Sequence, residues 1–256
     1  MERTQLSIKT LINQAWTSYS DYALWLLPLF ILLLLPGGLD SFLSEYLFPR
    51  IPGASVETEA GIMLVGQRAI IASILSAIFG VITAWLQIGY VNNELEALNL
   101  EKPQAKTLFS GNFKQLLSMI GWGILTGIIL VGGFIALVIP GIYFAVKLSL
   151  FKYYIAQWYG GIASIKASWA ATKGNFWRII GVWFACLGII LAWALLGLIV
   201  LGVGWWLDIS LLVLIGSVLM IVGVFGAIML VSLINANIYR TLRVNNTPAD
   251  IIPTRL

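Results

Sequence analysis

The stretch FWRIIGVWFACLGIILAWALLGLIV, residues 176–200, decides the fold class, because its 25 positions include a single charged side chain, Arg178. An apolar run of about 18 or more residues can cross a hydrocarbon core of roughly 30 Å. Further apolar runs cover residues 23–35 (or 23–48, since Pro28 and Pro36 interrupt this region), 70–91, 116–138, 141–158 and 211–238. The sequence therefore predicts an all-α integral membrane protein with six transmembrane helices.

The composition of the whole chain supports the same class. Hydrophobic residues make up 60% of the 256 positions and charged residues only 10%, whereas a soluble domain carries about 25% charged residues. The chain has no histidine, and its one cysteine, Cys186, lies inside an apolar run. We therefore expect no enzyme activity that works through histidine or thiol chemistry. The sequence also predicts no metal site, no cofactor and no catalytic residue.

The lysines and arginines predict the orientation of the chain. With the N-terminus in the cytoplasm, 11 of the 15 basic residues fall on the inner side of the membrane. They are Arg3, Lys9, Lys102, Lys106, Lys114, Lys166, Lys173, Arg178, Arg240, Arg243 and Arg255. This bias predicts that both termini are cytoplasmic. It also accounts for the net charge of +4 without a nucleic-acid partner.

The spans group into three hairpins within one membrane domain, residues 1–256. We expect an interfacial helix at 1–20, hairpins at 21–91, 92–158 and 159–243, and a cytoplasmic tail at 244–256. The tripeptide Gly-Asn-Phe precedes both the third and the fifth span, 63 residues apart, which favours a threefold parallel repeat. The residues assigned to turns and span entries are Pro140, Gly141, Gly111, Asn112, Phe113, Gly174, Asn175 and Phe176.

Two segments have the pattern of amphipathic helices at the membrane surface. Residues 6–16 place apolar side chains on one helical face and polar ones away from it. Residues 162–173 carry an apolar stripe that includes Trp169, flanked by Lys166 and Lys173, and alanines on the opposite side. Lysines beside such a stripe can reach lipid phosphates, and an alanine face allows close helix packing. We expect both segments to lie along the headgroup boundary.

Lys147 is the sharpest candidate for a functional residue, because it lies about six residues into the fourth span. An ammonium at that depth costs a few kcal/mol unless it is solvated or paired. Either it faces a cavity and binds an anionic group, or it extends to the outer interface or pairs with a polar neighbour for structural reasons. The candidate lipid- or ligand-binding residues are Lys147, Lys152, Lys166, Trp169, Lys173 and Arg178.

The acidic residues give no comparable candidate. Glu94 and Glu96 follow the second span at its cytoplasmic end, so no carboxylate is expected deep in a span. Coupled transporters commonly place carboxylates or interrupted helices at the membrane centre, and their expected absence disfavours transport. Gly123 and Gly127 form a G-x-x-x-G motif, which predicts close helix packing within the chain or between two copies.

Residues 137–181 carry an ordered series of short motifs. They are Val138-Ile139-Pro140-Gly141-Ile142-Tyr143, Lys147-Leu148-Ser149-Leu150, Ala167-Ser168-Trp169 and Thr172-Lys173-Gly174-Asn175-Phe176-Trp177. The series resembles bacterial six-span proteins grouped with the glycerophosphoryl diester phosphodiesterase membrane domain and related families of unknown function. The resemblance implies location in a bacterial inner membrane. Some relatives carry a fused phosphodiesterase, but its histidines have no counterpart here, so its activity is not implied.

These features favour a non-catalytic membrane module that binds membrane lipids or a partner, either another membrane protein or a second copy of itself. Such a module would act in envelope organisation or as a complex subunit. The alternative is a small transporter or channel for an anionic or amphiphilic solute, with Lys147 lining the route. A membrane-embedded enzyme that acts on lipid is the least favoured hypothesis.

Overall fold

The computed structural model describes residues 7–47, 59–157 and 161–246. This part of the chain contains no strand. Its helices are α1 (Ile8–Leu47), α2 (Glu59–Leu98), α3 (Phe113–Ala136), α4 (Val138–Leu148), α5 (Phe151–Ala156), α6 (Gly161–Ala171), α7 (Phe176–Trp206) and α8 (Ser210–Asn246). A short 3₁₀ helix, Ala105–Phe109, lies between α2 and α3.

Six helical segments among the described residues are long and apolar enough to cross a membrane. They are Lys9–Leu43, Ala69–Leu98, Phe113–Ala136, Val138–Ala156, Phe176–Trp206 and Ser210–Arg243. The predicted all-α fold with six membrane-spanning segments is confirmed. The protein therefore has the architecture of a multi-pass membrane protein.

Consecutive long helices pack as three hairpins, α1 with α2, α3 with α4 and α7 with α8. The third hairpin is held by glycines that let two backbones approach closely. A Cβ atom added at Gly204 would lie 2.6 Å from the backbone nitrogen of Val213. One added at Gly197 would lie 2.5 Å from the Cβ atom of Met220. Larger residues at these positions would force the two helices apart.

Several fully buried side chains lie where the ends of α2 and α8 meet α5. The Tyr153 ring in α5 stacks on the Tyr239 ring in α8, with centroids 5.3 Å apart. Four basic residues lie around this region, which we call the basic end. Lys106 belongs to the 3₁₀ helix, Lys114 to the first turn of α3, and Arg240 and Arg243 to the end of α8.

Away from the basic end, the helices expose apolar side chains over much of their surface. On α2, for example, Ile70, Ile74 and Ile78 are all more than half exposed. In water such a surface would be unfavourable, but lipid acyl chains can cover it without the penalty of hydrating apolar groups. The exposed apolar surface therefore agrees with the predicted membrane environment.

The N-terminal segment differs from the prediction of a separate interfacial helix. Helix α1 runs without a break from Ile8 to Leu47, through both Pro28 and Pro36, so the longer form of the first span is the correct one. Leu11 and Ala15 are buried, and the Asn237 side chain donates a hydrogen bond to the Leu11 carbonyl at 3.2 Å. Part of the apolar face of this segment thus packs against α8, whereas Trp16 on the same face is more than half exposed.

The reversal between α3 and α4 also differs from the prediction. It takes place at Leu137, the one extended residue between the two helices, and Pro140 and Gly141 lie in the first turn of α4. A proline is tolerated there because the first N–H groups of a helix have no partner within it. Gly141 instead permits close contact, since an added Cβ atom would lie 2.5 Å from the Phe134 ring.

The reversal between α7 and α8 is also tight. Helix α7 extends to Trp206 and α8 begins at Ser210, with Asp208 in the left-handed region at φ 56°. The predicted tail at 244–256 and the first residues of the predicted interfacial helix at 1–20 lie largely outside the described residues.

Candidate functional site

The fourth span is broken, which the sequence analysis did not predict. Helix α4 ends at Leu148 and α5 begins at Phe151. The hydroxyl group of Ser168 in α6 joins the two ends: it donates a hydrogen bond to the Lys147 carbonyl at 2.7 Å and accepts one from the Leu150 amide at 3.2 Å. A buried backbone group without a partner is costly, so Ser168 stabilises the break.

A second polar side chain closes the far end of the broken span. The Gln115 amide in α3 donates to the carbonyls of Ile155 and Ala156 at 3.3 and 2.9 Å. These carbonyls belong to the last turn of α5, where a helix generally leaves carbonyl groups without the usual intrahelical donor. Gln115 also completes a capping box with Asn112 at the start of α3. One glutamine therefore ties the entry of the third span to the end of the fourth.

A chain of polar side chains continues from this point across the basic end. The Gln157 amide donates to Asn92 Oδ1 at 3.1 Å, and Asn92 donates to the Ser110 hydroxyl at 3.4 Å. On the other side, the Arg243 guanidinium donates to Gln157 Oε1 at 3.3 Å. Residues from α2, α8 and the segments beside α3 and α5 are thereby connected.

These side chains border a cavity of about 530 Å³, which we call the polar pocket. Helix α2 contributes Asn92 and Glu96 to its wall, α8 contributes Arg240 and Arg243, and Gln157 lies between them. A volume of about 300–1,000 Å³ with a few convergent polar groups is typical of a small-molecule site. The polar pocket is the strongest candidate for a functional site in the described part of the chain.

The charges of the polar pocket are arranged on separate walls. On α8, one N–H of Arg240 donates to the Leu98 carbonyl; a guanidinium has five N–H donors, so Arg240 retains others. On α2, Glu96 Oε1 accepts a bond from the Thr107 hydroxyl at 3.4 Å. Its Oε2 atom is buried and has no hydrogen-bond partner among the described residues. Residues of both charges thus border the same cavity.

Glu94 lies on another face of α2, and its position differs from the prediction. The helix continues to Leu98, so Glu94 lies inside it and is 0% exposed. The hydroxyl groups of Tyr153 and Ser232 lie near the carboxyl group, yet neither of its oxygens has a partner of hydrogen-bonding geometry among the described residues. A carboxyl group buried in this way is rare unless it has a function.

Lys152 lies near Glu94. Its Nζ atom is 4.9 Å from the centre of the Tyr153 ring, and its charge interacts favourably with the ionised Glu94 carboxylate. The sequence analysis named it as a candidate lipid- or ligand-binding residue. In the structure it belongs to a group formed by Glu94, Lys152, Tyr153 and Ser232, in which Glu94 and Tyr153 are buried, and which we call the Glu94 cluster.

Lys147 lies between aromatic rings. It is 6% exposed, and its Nζ atom lies 5.7 Å from the centre of the Tyr143 ring and 5.6 Å from that of Trp169. Both distances are within the range of cation–π attraction. Because Trp169 belongs to α6, the ammonium points toward the segment that precedes α7. This packing supplies a stabilising environment for Lys147 without an anion.

The remaining predicted site residues divide into two groups. Lys173 lies close enough to Lys147 for their charges to repel, so the structure brings Lys147, Trp169 and Lys173 together. Lys166 is exposed on α6, and Arg178 lies in the first turn of α7. None of these five residues borders the polar pocket.

The two Gly-Asn-Phe entries are located as predicted but differ in detail. Helices α3 and α7 begin at Phe113 and Phe176, each directly after its asparagine. The Asn112 side chain caps α3 by accepting from the Gln115 amide, whereas the Asn175 side chain makes no such cap on α7. Gly174 has φ 86°, a conformation that favours glycine, while Gly111 is not among the residues with positive φ.

The residues of the polar pocket were not predicted from the sequence. Arg240 and Arg243 were interpreted only as markers of orientation, and Asn92, Gln115 and Gln157 were given no role. One signal was available: polar residues stand at positions 92–94 within an apolar helix and recur at 115 and 157. Such residues tend to face other helices rather than lipid, but their partners could not be paired from sequence.

No group of three or more potential metal-ligating residues occurs in the part of the chain that the structure describes. Comparison with protein-family models, with curated proteins and with solved structures finds no match to this chain. The polar pocket and the Glu94 cluster are therefore the features of the structure that indicate a function.

Proposed function

We propose that this protein is a non-catalytic membrane protein of a bacterial inner membrane, with both termini in the cytoplasm, that binds an oxyanion in the polar pocket. The observation that carries the proposal is the pair of guanidinium groups, Arg240 and Arg243, on one wall of a cavity of about 530 Å³. Guanidinium groups bind phosphates and carboxylates through paired hydrogen bonds.

The surrounding side chains support an anion site. Asn92, Gln157 and Ser110 supply amide and hydroxyl groups that can donate hydrogen bonds to a bound oxyanion. Arg243 is held against Gln157 and lies over the Tyr239 ring, 5.9 Å from its centre. A guanidinium held in this way loses less side-chain entropy when it binds a ligand.

The position of the polar pocket supports a lipid headgroup as the source of the oxyanion. The pocket lies at the ends of membrane-spanning helices, on the side where the basic residues predict the cytoplasmic interface. Lipid phosphates lie at this level of a bilayer. A soluble phosphate could supply the same chemistry, so the test must separate the two sources.

The test uses purified protein in a mild detergent, with phosphatidylglycerol in one arm and inorganic phosphate in the other. Native mass spectrometry measures retained lipid, and thermal unfolding measures stabilisation by phosphate. We expect phosphatidylglycerol to bind and the double variant Arg240→Gln, Arg243→Gln to lose about tenfold or more in affinity, since a hydrogen bond to a charged group contributes about 1.5–3 kcal/mol.

Lys114→Gln is the matched control, because it removes one positive charge from the basic end without altering the polar pocket. It should bind phosphatidylglycerol as the wild type does. Stabilisation by inorganic phosphate alone would identify a soluble anion as the ligand. Equal binding by the wild type and the double variant would contradict the proposal.

A second candidate function is transport, which the Glu94 cluster favours. Glu94 is fully buried beside a broken span, and broken helices and buried carboxylates are typical of coupled transporters. In proteoliposomes that contain a pH-sensitive dye, an inward gradient of inorganic phosphate should then change the internal pH. Glu94→Gln should abolish the change and Glu101→Gln should not. A wild-type protein that produces no change would exclude phosphate-coupled proton transport.

A further inference from the structure

A groove of about 590 Å³, which we call the apolar groove, lies between α1, α7 and α8. Helix α8 lines it from Leu214 to Leu230, a length of about 24 Å at 1.5 Å per residue. Trp16 and Tyr19 of α1 and Trp193 of α7 complete its sides. All three helices belong to membrane-spanning segments, so the apolar groove is open to lipid rather than to water.

The apolar groove and the polar pocket are separate sites on α8. On this helix the groove ends at Leu230, whereas the polar pocket begins at Tyr239. Between them, the Asn237 side chain donates hydrogen bonds to the Leu11 carbonyl and to Gln14 Oε1 at 3.2 and 3.1 Å. Helix α1 therefore crosses α8 between the two cavities, and a ligand in one does not fill the other.

Two glycines in the wall of the apolar groove are already covered by aromatic side chains. A Cβ atom added at Gly223 would lie 2.7 Å from the Trp193 ring, and one added at Gly226 would lie 2.8 Å from the Tyr19 hydroxyl oxygen. Membrane helices associate through small residues that let two backbones approach closely, and these glycines are not open to a further helix. The space that remains beside the aromatic side chains suits a slender, flexible chain.

A positive charge lies beyond the α1 end of the apolar groove. Lys9 precedes Trp16 by seven residues, nearly two full helical turns, so the two side chains lie on the same side of α1 and about 10 Å apart along its axis. Lys9 is exposed and Trp16 is more than half exposed. Tryptophan is typical of the headgroup level of a bilayer, and a lysine near it can reach a lipid phosphate. The ammonium therefore lies where the headgroup of a lipid in the groove would lie.

We propose that the apolar groove binds an acyl chain of an anionic phospholipid whose phosphate is held by Lys9. The site is additional to the polar pocket and does not depend on it. Lipid chains are as apolar as the groove, so the hydrophobic effect does not favour the groove over the bulk membrane. Packing against the groove orients the chain, and a charge-assisted hydrogen bond from the Lys9 ammonium to the phosphate selects an anionic headgroup.

The experiment counts the phosphatidylglycerol molecules bound to the full-length protein by native mass spectrometry. We expect two in the wild type and one in the double variant Arg240→Gln, Arg243→Gln, in which only the apolar groove is intact. Adding Lys9→Gln to the double variant should weaken the remaining binding by about tenfold or more, the effect of one hydrogen bond to a charged group. Lys166→Gln is the matched control, because Lys166 is exposed on α6 and borders neither cavity.

Val218→Trp tests the apolar groove itself. Val218 lines the groove and is more than half exposed, so a larger ring there fills the groove and not the protein core. In the double-variant background it should prevent binding of the remaining lipid. Val131→Trp is the matched control, since Val131 is also more than half exposed but lies on α3, outside the groove. Thermal unfolding checks that each variant is folded.

The outcomes separate this inference from the proposed function. Equal binding by Val218→Trp and Val131→Trp would overturn the assignment of the acyl chain. Equal binding by Lys9→Gln and Lys166→Gln would overturn the assignment of the phosphate and identify the lipid as nonspecific. If the double variant retains no lipid, the groove site fails and the polar pocket stands. If the wild type and the double variant each retain one lipid, which Lys9→Gln removes, the groove site stands and the polar pocket fails.

Discussion

Ser168 shows how one side chain can hold a break inside a membrane-spanning segment. Its hydroxyl group replaces two backbone partners that are missing at the break. It accepts a hydrogen bond from the Leu150 amide and donates one to the Lys147 carbonyl. Water is scarce at such a buried position, so an alternative partner is not readily available. The break in the fourth span therefore depends on a residue of α6.

Ser168→Ala should lower the free energy of unfolding by about 1–3 kcal/mol, because it leaves a buried donor and acceptor unpaired. Unfolding in mild detergent, followed by circular dichroism, measures the change. Ser149→Ala is the control, since among the described residues the Ser149 hydroxyl bonds only to the Val146 carbonyl within its own turn, and its loss should cost less than about 1 kcal/mol. Equal effects would show that the bridge does not stabilise the break.

At the scale of elements, small residues decide which helices touch. Gly133 in α3 and Gly141 in α4 face each other, and a Cβ atom added at Gly133 would lie 3.1 Å from the Gly141 Cα atom. Gly123 and Gly127 form the G-x-x-x-G motif, yet an added Cβ atom at either would have no neighbour within 4 Å in the described part of the chain. The motif does not serve packing between the described helices, whereas the Gly-Gly contact does.

These two pairs of glycines should respond oppositely to alanine. Gly141→Ala should destabilise the protein by about 1–3 kcal/mol, because the new methyl group would collide with the Phe134 ring. Gly127→Ala should be neutral or stabilising by up to about 1 kcal/mol, because alanine favours the helix. Thermal unfolding of both variants in the same detergent tests the contrast. Destabilisation by Gly127→Ala would indicate a helix contact outside this chain, such as a second copy.

At the scale of the whole molecule, the charge distribution and the helix ends predict one orientation. Lys114 at the start of α3 belongs to the basic end, and Trp205 lies at the opposite end of α7, where it is 82% exposed. A single cysteine at either position, in a Cys186→Ala background, reports its side through a membrane-impermeant thiol reagent. We expect labelling of Trp205→Cys from outside intact cells and labelling of Lys114→Cys only after permeabilisation. The reverse pattern would invert the topology.

Much of the fold could be predicted from sequence because it depends on local composition. Short segments determine the length and apolar character of each span and the pairing of neighbouring spans into hairpins. They also contain the asparagine that precedes Phe113 and Phe176. Whether α1 continues through Pro28 and Pro36 was left open, because a proline inside a helix favours a break. In the structure the helix is continuous and packs against α2 and α8. The turn at Pro140 was misplaced because proline is compatible both with a reversal and with a first helical turn.

The sequence by itself determined that this protein is a bundle of six membrane-spanning segments, because apolar composition alone sets the solvent in which the chain can fold. Only the tertiary structure decided where its polar groups meet. Ser168 lies 21 residues from Lys147, Gln157 lies 65 from Asn92, and Arg243 lies 86 from Gln157. Contacts between such distant residues depend on how the helices pack, and no local pattern encodes them.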